Sequence, residues 1–313
     1  MCGIFGFNFK QGTISVGRAA VLSTNLARLN DNRGGDSWGF CSTDNNQIVV
    51  KRGLGDMVMA AHEMIDHTTL FGHTRLGTTG AKTVENAHPY EIGNIIGAHN
   101  GIVYNHPALQ RKYDRSHEVD SMHLFSHLNE SRDFGDIEGY GSIEWIQKDD
   151  PSHIYLCKMR NGDLSIFGIG DRQAGTTEGI VWSSNDKHLM EALYCAGIKN
   201  FFPYTVEEGL IYYAEDGDIY VSQRPKLVLG SSSSNYSQRW DDDYSSYGSH
   251  SQFPARSHTP YQHQLGSGSS SSSSSSNTKV ESGKLKDWQS WSAYCRGVDG
   301  VDDDTKSGSG AST

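Results

Sequence analysis

A cysteine stands directly behind the initiator methionine, in the segment MCGIFG (1–6). Removal of Met1, which is usual when a small residue follows, leaves Cys2 with both its thiol and the α-amino group of the chain. A free thiol has a pKa of about 8.5 and an α-amino group a pKa of about 7.7–8.0. The amine is therefore a base poised near neutral pH beside a nucleophile, which makes Cys2 a candidate catalytic residue.

Four further stretches combine glycine with residues that can bind or orient a polar ligand. They are RGGDSWG (33–39), GHTRLGTTG (72–80), ENAHPYEIGNIIGAHNGIVYNH (85–106) and HEVDSMHLF (117–125). Each has a structural explanation when taken singly, because Gly-Gly-Asp forms turns, Asn-Gly forms hairpins and an acidic residue suits the first turn of a helix. Their combination and order carry the functional interpretation.

Together these stretches resemble the class II glutamine amidotransferases, whose glutaminase domain is an N-terminal nucleophile (Ntn) hydrolase. The resemblance covers roughly residues 2–225. The motifs that carry it are C-G-I-x-G (2–6), R-G-x-D-S (33–37), G-H-T-R-x-x-T-x-G (72–80), N-A-H-P (86–89), H-N-G-I (99–102) and an acidic residue followed by Ser or Thr (120–121).

The resemblance implies a catalytic role for three residues. Cys2 attacks the side-chain amide of L-glutamine and becomes a glutamyl thioester, while its own α-amino group takes up and returns the proton. The Asn100 side chain and the Gly101 backbone N–H stabilise the oxyanion of the tetrahedral intermediate. The resemblance implies no cofactor, and we expect no metal.

Glutamine is zwitterionic, so its pocket needs one cation and one anion. By resemblance, the planar guanidinium of Arg75 binds the α-carboxylate and Asp120 binds the α-ammonium. Thr78 matches a threonine that also touches the substrate in the family. Arg33 and His88 are expected to support the loop of the nucleophile.

The predicted fold class is α+β. The resemblance implies a four-layer α/β/β/α Ntn-hydrolase sandwich, in which two antiparallel sheets lie between helical layers. Apolar periodicity predicts helices over Gly17–Asn30, Val119–Asn129, Ile137–Gln147 and Asp186–Ala196, and the segment EDGD (215–218) predicts a hairpin turn. Short apolar runs predict nine strands, at 3–9, 47–53, 69–76, 94–100, 153–159, 163–169, 179–184, 210–215 and 218–223.

The composition changes near residue 230. Residues 1–229 are expected to form the amidotransferase domain. Residues 230–313 are rich in Ser, Tyr and Gly and are predicted to be a disordered tail, because they cannot bury enough apolar surface to offset the entropy of ordering. A segment near the end, KLKDWQSWSAYCRG (284–297), is predicted to be at most a transient helix.

Charge and composition restrict the class of protein further. A net charge of −10 argues against nucleic-acid binding. The chain has no apolar run of about 18 residues and no signal-peptide pattern at its start, so we expect no membrane association. Its five cysteines are widely spaced and odd in number. Free thiols in a reducing cytoplasm fit this pattern best.

Family members normally fuse the glutaminase to an ammonia-accepting enzyme. This sequence contains neither the phosphate-binding motif GxxxxGK[ST] nor GxGxxG. We therefore expect a stand-alone glutaminase subunit that supplies ammonia to a synthetase or transferase on another chain. Two departures from the family pattern, Gly77 and Thr79, lie in the pocket segment without removing a chemical group.

Three alternatives remain open from the sequence. An Ntn hydrolase acting on a different amide would keep Cys2 but would need neither Arg75 nor Asp120. A catalytically silent scaffold would use the same fold without turnover. His123 and His127 have the i, i+4 spacing of a zinc pair, but without a third ligand nearby they are better explained as packed or solvated histidines.

Overall fold

In the computed structural model, which describes residues 2–171 and 173–230, thirteen strands form two antiparallel sheets. The first sheet has seven strands. In spatial order they are β11 (Phe201–Tyr204), β9 (Ser165–Asp171), β10 (Thr176–Ser183), β1 (Gly3–Phe9), β4 (Thr69–Arg75), β2 (Ser37–Ser42) and β3 (Val49–Leu54).

The second sheet has six strands, and four α-helices cover the two sheets. Its strands are, in spatial order, β13 (Asp218–Val221), β12 (Ile211–Glu215), β8 (Asp150–Lys158), β7 (Gly139–Gln147), β6 (Ile95–Val103) and β5 (Tyr90–Ile92). The helices are α1 (Val16–Asp31), α2 (His106–Tyr113), α3 (Met122–Asn129) and α4 (Asp186–Cys195), with two short 3₁₀ helices at Asp44–Asn46 and Met57–Glu63.

Strand β1 shows how the layers are built. Successive side chains of a strand point to opposite faces. Phe5 and Phe7 pack into a buried cluster with Leu22 and Leu26 of α1, whereas Ile4 packs on the other face against residues of the second sheet such as Ile96. The first sheet is thus covered by helices on one face and by the second sheet on the other.

A third buried cluster lies on the outer face of the second sheet. It joins Ile143 and Trp145 of β7 to Leu109 of α2 and to Leu124 and Phe125 of α3. The order of layers is therefore helices α1 and α4, first sheet, second sheet, and helices α2 and α3. The predicted four-layer α/β/β/α sandwich is confirmed.

Helix α1 illustrates how local sequence sets the helical layers. Ser15 caps its N-terminus by accepting a hydrogen bond from the Arg18 N–H at 3.3 Å. Leu22, Leu26 and Leu29 recur at helical spacing and are buried. The helices predicted over Gly17–Asn30, Val119–Asn129 and Asp186–Ala196 are confirmed as α1, α3 and α4.

All nine predicted strands are present, with ends displaced by at most three residues. The hairpin predicted at EDGD (215–218) joins β12 to β13, with positive φ at Asp216 and Gly217. Sequence analysis missed α2 and the strands β2, β5 and β11.

The helix predicted over Ile137–Gln147 is wrong, because this segment forms β7. The strand lies between β6 and β8 in the second sheet and is buried on both faces. Ile143 and Trp145 point to the outer helices while Ile146 points to the first sheet. A short apolar run that is buried on both faces has the same composition as a buried helix, so its periodicity alone does not separate the two.

The predicted tail lies almost wholly outside the described residues. Its first residue, Gly230, is described and is bound to the folded part. The Gly230 N–H donates to the Ile137 carbonyl at 2.9 Å, and the Arg160 guanidinium donates to the carbonyls of Leu229 and Gly230 at 2.9 Å each.

None of the helices within residues 2–171 and 173–230 combines the length and apolar character needed to cross a bilayer.

A buried carboxyl group sits in the layer between the two sheets. Glu144 of β7 is fully buried, and the Trp182 indole N–H donates to its Oε2 at 2.7 Å. Oε1 has no partner among the described residues. Burial raises the pKa of Glu144 well above its ordinary value, against the smaller lowering effect of the Trp182 hydrogen bond. Burial therefore favours the neutral form of Glu144 in the folded protein.

Glu144→Gln is expected to stabilise the protein at neutral pH. In the unfolded chain Glu144 loses its proton above about pH 4.3, whereas in the folded chain the raised pKa keeps the proton bound to a higher pH. The wild-type free energy of unfolding therefore loses up to about 1.4 kcal/mol per pH unit from this group as the pH rises. Gln removes this loss and still accepts from Trp182.

The measurement is urea unfolding of the wild type and Glu144→Gln at pH 4.5 and 7.5. We expect the advantage of the variant to grow with pH. Glu208→Gln, at an exposed position, serves as the matched control and should change little. A stability difference between wild type and Glu144→Gln that is the same at both pH values would contradict a neutral buried carboxyl.

Candidate active site

The start of β1 and the end of β4 meet in the middle of the first sheet. Gly3 pairs with Thr74, and continuing this antiparallel register by one residue sets Cys2 opposite Arg75. Even-numbered residues of β1 point towards the second sheet, as Ile4 does. Cys2 and Arg75 therefore lie side by side on the face that looks across to the second sheet.

The Cys2 thiol is held by the backbone of one residue. The Leu76 N–H donates to Sγ at 3.3 Å, and the Cys2 thiol donates to the Leu76 carbonyl oxygen at 3.5 Å. Burial raises the pKa of the Cys2 thiol, although the Leu76 hydrogen bond and the charge of Arg75 act in the opposite direction. The thiol is thus largely protonated at neutral pH, and its use as a nucleophile requires a base.

Arg33 fixes the backbone at the nucleophile. Its Nε donates to the Cys2 carbonyl at 3.0 Å, and its Nη1 donates to the Ser184 carbonyl at 3.1 Å. Ser184 in turn accepts the Ile4 N–H through its hydroxyl at 3.1 Å. The structure therefore places Arg33 as a bridge between the start of β1 and the end of β10.

Arg75 is a buried cation that forms no ion pair with the described residues. Its side chain is 3% exposed, and its guanidinium donates to the carbonyls of Thr79 and Ala81 at 2.5 and 3.4 Å. Within residues 2–171 and 173–230 no carboxylate forms an ion pair with it. Because a buried charge is costly unless it is paired, the site favours an anionic ligand at this guanidinium.

The segment after β4 folds over Arg75 and is anchored by two acidic residues. Asp36 accepts the Gly77 N–H at 2.9 Å and the Lys82 ammonium at 2.7 Å, while Glu118 accepts the Ala81 N–H at 2.8 Å. Burial raises the pKa of Asp36, but the bonds from Lys82 and Gly77 outweigh it and leave the pKa below its ordinary value. Sequence analysis did not identify Lys82 or this anchoring role of Asp36, whose only signal was its place in the R-G-x-D-S motif.

Thr78 lies in this anchored segment, three residues beyond Arg75, and is exposed. No hydrogen bond joins its side chain to the described residues. An added Cβ at the neighbouring Gly77 would lie 3.2 Å from Arg75 Nη1. The segment therefore runs close against the guanidinium.

Asn100 and Gly101 approach the site from the second sheet. Asn100 shares its strand face with Ala98, which packs between the sheets, and it is half-buried. Its side chain makes no hydrogen bond within the described part of the chain. An added Cβ at Gly101 would lie 2.0 Å from the Tyr140 carbonyl oxygen and 2.5 Å from His99 Nε2, so only glycine fits.

Asp120 is a buried carboxylate whose charge acts on the Cys2 thiol. It is 4% exposed, and its Oδ2 accepts the Val103 N–H at the end of β6 at 2.7 Å. Its Oδ1 accepts no hydrogen bond from the described residues. Burial raises the pKa of Tyr140, and the charges of Cys2 and Asp120 add to this effect.

His88 lies in a buried group of histidines, and its side chain forms no hydrogen bond with residues 33–37 in the described part of the chain. Its Nδ1 is 3.1 Å from His73 Nδ1, and His73 Nε2 is 3.1 Å from the His99 carbonyl. His99 Nδ1 is 2.9 Å from the Ser121 hydroxyl. Sequence analysis missed His73, His99 and Ser121 as members of the site, although each lies inside a motif that it singled out.

The i, i+4 pair His123 and His127 belongs to another cluster. His127 Nδ1 and His123 Nδ1 lie 3.1 and 3.4 Å from Arg115 Nη1, and His123 Nε2 lies 3.1 Å from His106 Nδ1. In the part of the chain that the structure describes, no group of three or more His, Cys, Asp or Glu side chains is arranged to hold a metal ion.

The buried histidines of the site make the protein sensitive to acid. Burial lowers the pKa of His73 to about 3, and it also lowers the pKa values of His88 and His99. In the unfolded chain these residues bind protons below about pH 6.5. Each therefore removes up to about 1.4 kcal/mol of stability per pH unit below that value, until its folded-state pKa is reached.

We expect the free energy of unfolding to fall steadily from pH 6.5 to pH 5. Urea unfolding in the Glu144→Gln background is the suitable measurement, because Glu144 contributes with the opposite sign in this range. His62→Gln, at an exposed position, should leave the slope unchanged. A free energy of unfolding that stays constant over this range would contradict the expectation, because it would mean that the histidines take up protons in the folded protein as readily as in the unfolded chain.

Comparison with known sequences identifies relatives over about half of the chain. The chain is 32% identical over 205 residues to the glutamine–fructose-6-phosphate aminotransferase (isomerizing) of Mycobacterium bovis, a match that spans 55% of this chain and 31% of the relative. It is 31% identical over 164 residues to the probable enzyme of the same name from Acanthamoeba polyphaga mimivirus, spanning 45% and 27%. The chain thus spans about a third of the length of these curated relatives.

Family models and solved structures were also compared with the chain. No protein-family model matches the chain. Among solved structures, it resembles glutamine phosphoribosylpyrophosphate amidotransferase from B. subtilis complexed with ADP and GMP, with a TM-score of 0.46 and 17% identity over 72% of this chain and 50% of that one. A second structure, the allosteric regulatory enzyme of purine biosynthesis, gives a TM-score of 0.47 and 18% identity over 71% and 48%.

The glutaminase motifs stand in their family order, and the residues they contain meet at one end of a two-sheet sandwich. The relatives found by sequence bear the name glutamine–fructose-6-phosphate aminotransferase. On this evidence the chain carries the glutaminase-type domain of the class II glutamine amidotransferases.

Proposed function

We propose that this protein hydrolyses the side-chain amide of L-glutamine through a thioester on Cys2 and supplies the ammonia to an acceptor enzyme on another chain. The observation that carries the proposal is the position of the Cys2 thiol beside the buried guanidinium of Arg75, which forms no ion pair in the described part of the chain. A nucleophile beside an anion-binding cation is what a substrate with an amide at one end and a carboxylate at the other requires.

The charges of the pocket support an α-amino acid as the substrate. Arg75 has guanidinium donors to spare for a carboxylate, since its bonds to the described residues go only to backbone carbonyls. Asp120 keeps Oδ1 available for an ammonium group. A simple acylated amine would use neither charge, and both would then be buried at a cost.

The chemistry needs one base and one oxyanion site. With Met1 removed, the α-amino group of Cys2 takes the thiol proton as sulfur attacks the amide carbon, and the carbonyl oxygen becomes an oxyanion. The Asn100 amide and the Gly101 N–H donate to this oxyanion. On collapse the C–N bond breaks and the amine returns a proton to the departing ammonia; water then attacks the thioester in the same way and releases glutamate.

The acceptor in trans and a cytoplasmic location are part of the same proposal. The relatives are about three times as long as the matched region, and the sequence of this chain outside that region contains no phosphate-binding motif. The four cysteines of the described part are free thiols, as a reducing compartment favours.

The first test is covalent labelling with the glutamine analogue 6-diazo-5-oxo-norleucine, followed by intact mass and peptide mapping. We expect loss of Met1, one adduct on Cys2, and glutamate release from glutamine. Cys2→Ala should abolish both the adduct and turnover. Cys195→Ala removes the exposed thiol and should leave both unchanged.

Absence of any adduct and of any turnover would favour a catalytically silent scaffold. Incorporation of nitrogen into a specific acceptor by the purified protein alone would contradict an acceptor on another chain, because the expected product without a partner is free ammonia.

Arg75→Lys tests the recognition of the substrate carboxylate. Lysine keeps the charge but loses the planar fork, so we expect KM for glutamine to rise about tenfold or more while kcat changes less. Arg111→Ala, at an exposed position, is the matched control. An unchanged KM would point to an amide substrate without an α-carboxylate.

A further inference from the structure

Three histidines of the motifs form a continuous hydrogen-bonded chain beneath the candidate site. His88 contacts His73 within the buried layer, with ring centroids 3.9 Å apart. His73 reaches from the first sheet to the His99 carbonyl in the second sheet, and the His99 ring reaches the Ser121 hydroxyl. All four side chains are at most 3% exposed.

The partners of each ring determine which nitrogen carries its proton. His73 Nε2 faces a carbonyl oxygen, so it is the N–H and Nδ1 accepts. His88 Nδ1 must then donate to His73 Nδ1, which leaves its Nε2 as a bare acceptor with no partner among the described residues. His99 Nε2 faces the Tyr140 carbonyl at 3.2 Å and is likewise the N–H, so its Nδ1 accepts from the Ser121 hydroxyl.

These assignments describe a network of neutral rings with fixed orientations. Burial lowers the pKa of all three imidazoles, so none carries charge at neutral pH. Such neutral rings hold their neighbours in place and do not relay protons. A proton added to His73 Nδ1 or His99 Nδ1 would break the hydrogen bond that this nitrogen accepts.

The His99 ring lies against the backbone that forms the proposed oxyanion site. An added Cβ at Gly101 would lie 2.5 Å from His99 Nε2, and one at Gly141 would lie 2.6 Å from the same atom. Gly101 and Gly141 pair across β6 and β7, and Gly141 has a φ of +139°. The ring therefore fills the space left by two facing glycines, and its position and theirs depend on each other.

The Ser121 bond connects this backbone to the anionic side of the pocket. His99 immediately precedes Asn100 and Gly101 in β6. Ser121 immediately follows Asp120, whose carboxylate is itself bound to the Val103 N–H of the same strand. The segment that bears the proposed ammonium ligand is thus fixed to β6 at two points.

We propose that His99, held by Ser121 and His73, is a positioning residue that sets the Asn100–Gly101 oxyanion donors relative to Asp120. The proposal rests on the glutaminase function proposed above. Its consequence is that the hydroxyl of Ser121 contributes to kcat, because a misplaced donor weakens stabilisation of the transition state more than binding of the ground state.

The test compares Ser121→Ala with Ser126→Ala. Ser126 is a matched control, because it is 4% exposed and its hydroxyl lies 2.8 Å from His117 Nε2, in the other histidine cluster. We expect Ser121→Ala to lower kcat for glutamine about tenfold or more with KM changed by less than about threefold. Ser126→Ala should alter neither, and Ser121→Thr, which keeps the hydroxyl, should restore most of kcat.

Three further measurements separate a positioning role from a general structural defect. The rate of iodoacetamide alkylation at Cys2 should be the same in wild type and Ser121→Ala, since the thiol does not depend on the oxyanion donors. His99→Gln should lower kcat by itself, and adding Ser121→Ala to it should cost little more, because both changes remove the same bond. Melting curves of each variant report whether it folds.

Wild-type kcat in Ser121→Ala, or a change in KM alone, would overturn the positioning role while leaving the glutaminase function intact. Independent, additive losses in the double variant would overturn it as well. A wild-type protein without glutamine turnover would instead contradict the glutaminase function, and the positioning role would fall with it.

Discussion

The central position of β1 is the constraint on which the site depends. The strand pairs with β10 on one side and β4 on the other, so its start emerges in the middle of a sheet rather than at an edge. Its alternate side chains enter two different buried layers. The chain end is thereby held as firmly as a core strand, and Arg33 adds a further bond to the Cys2 carbonyl.

Burial without charge pairing gives the site its electrostatic character. Arg75 is buried with backbone carbonyls as its only hydrogen-bond partners in the described part of the chain, while three imidazoles nearby are buried as neutral rings. The Arg75 guanidinium thus remains available to bind an anionic ligand, and the neutral imidazoles nearby do not form ion pairs with it. The same exclusion of water that strengthens these interactions also raises the pKa of the Cys2 thiol, so that Cys2 requires a base for the nucleophilic role proposed above.

Prediction from sequence succeeded where short-range chemistry fixes the outcome. The leucine stripe of α1 and the Asp216-Gly217 turn are local features, and their elements are present with nearly the predicted bounds. It failed for Gly139–Gln147, whose apolar residues are buried on both faces only because β6 and β8 lie on either side. It also missed α2, a short helix with a single buried leucine, Leu109.

The sequence by itself determined the motif order, the positions of Cys2, Arg75, Asn100 and Asp120, and the layered α+β class. Those features depend on residue type, spacing and local periodicity, which a linear sequence contains. Only the tertiary structure decided that Arg75 forms no ion pair with the described residues, that Lys82 and Asp36 anchor the segment over it, and that His73, His88, His99 and Ser121 form one chain of hydrogen bonds. These partners are 15 to 46 residues apart in sequence, and their contact depends on how two sheets pack face to face, which local propensities do not specify.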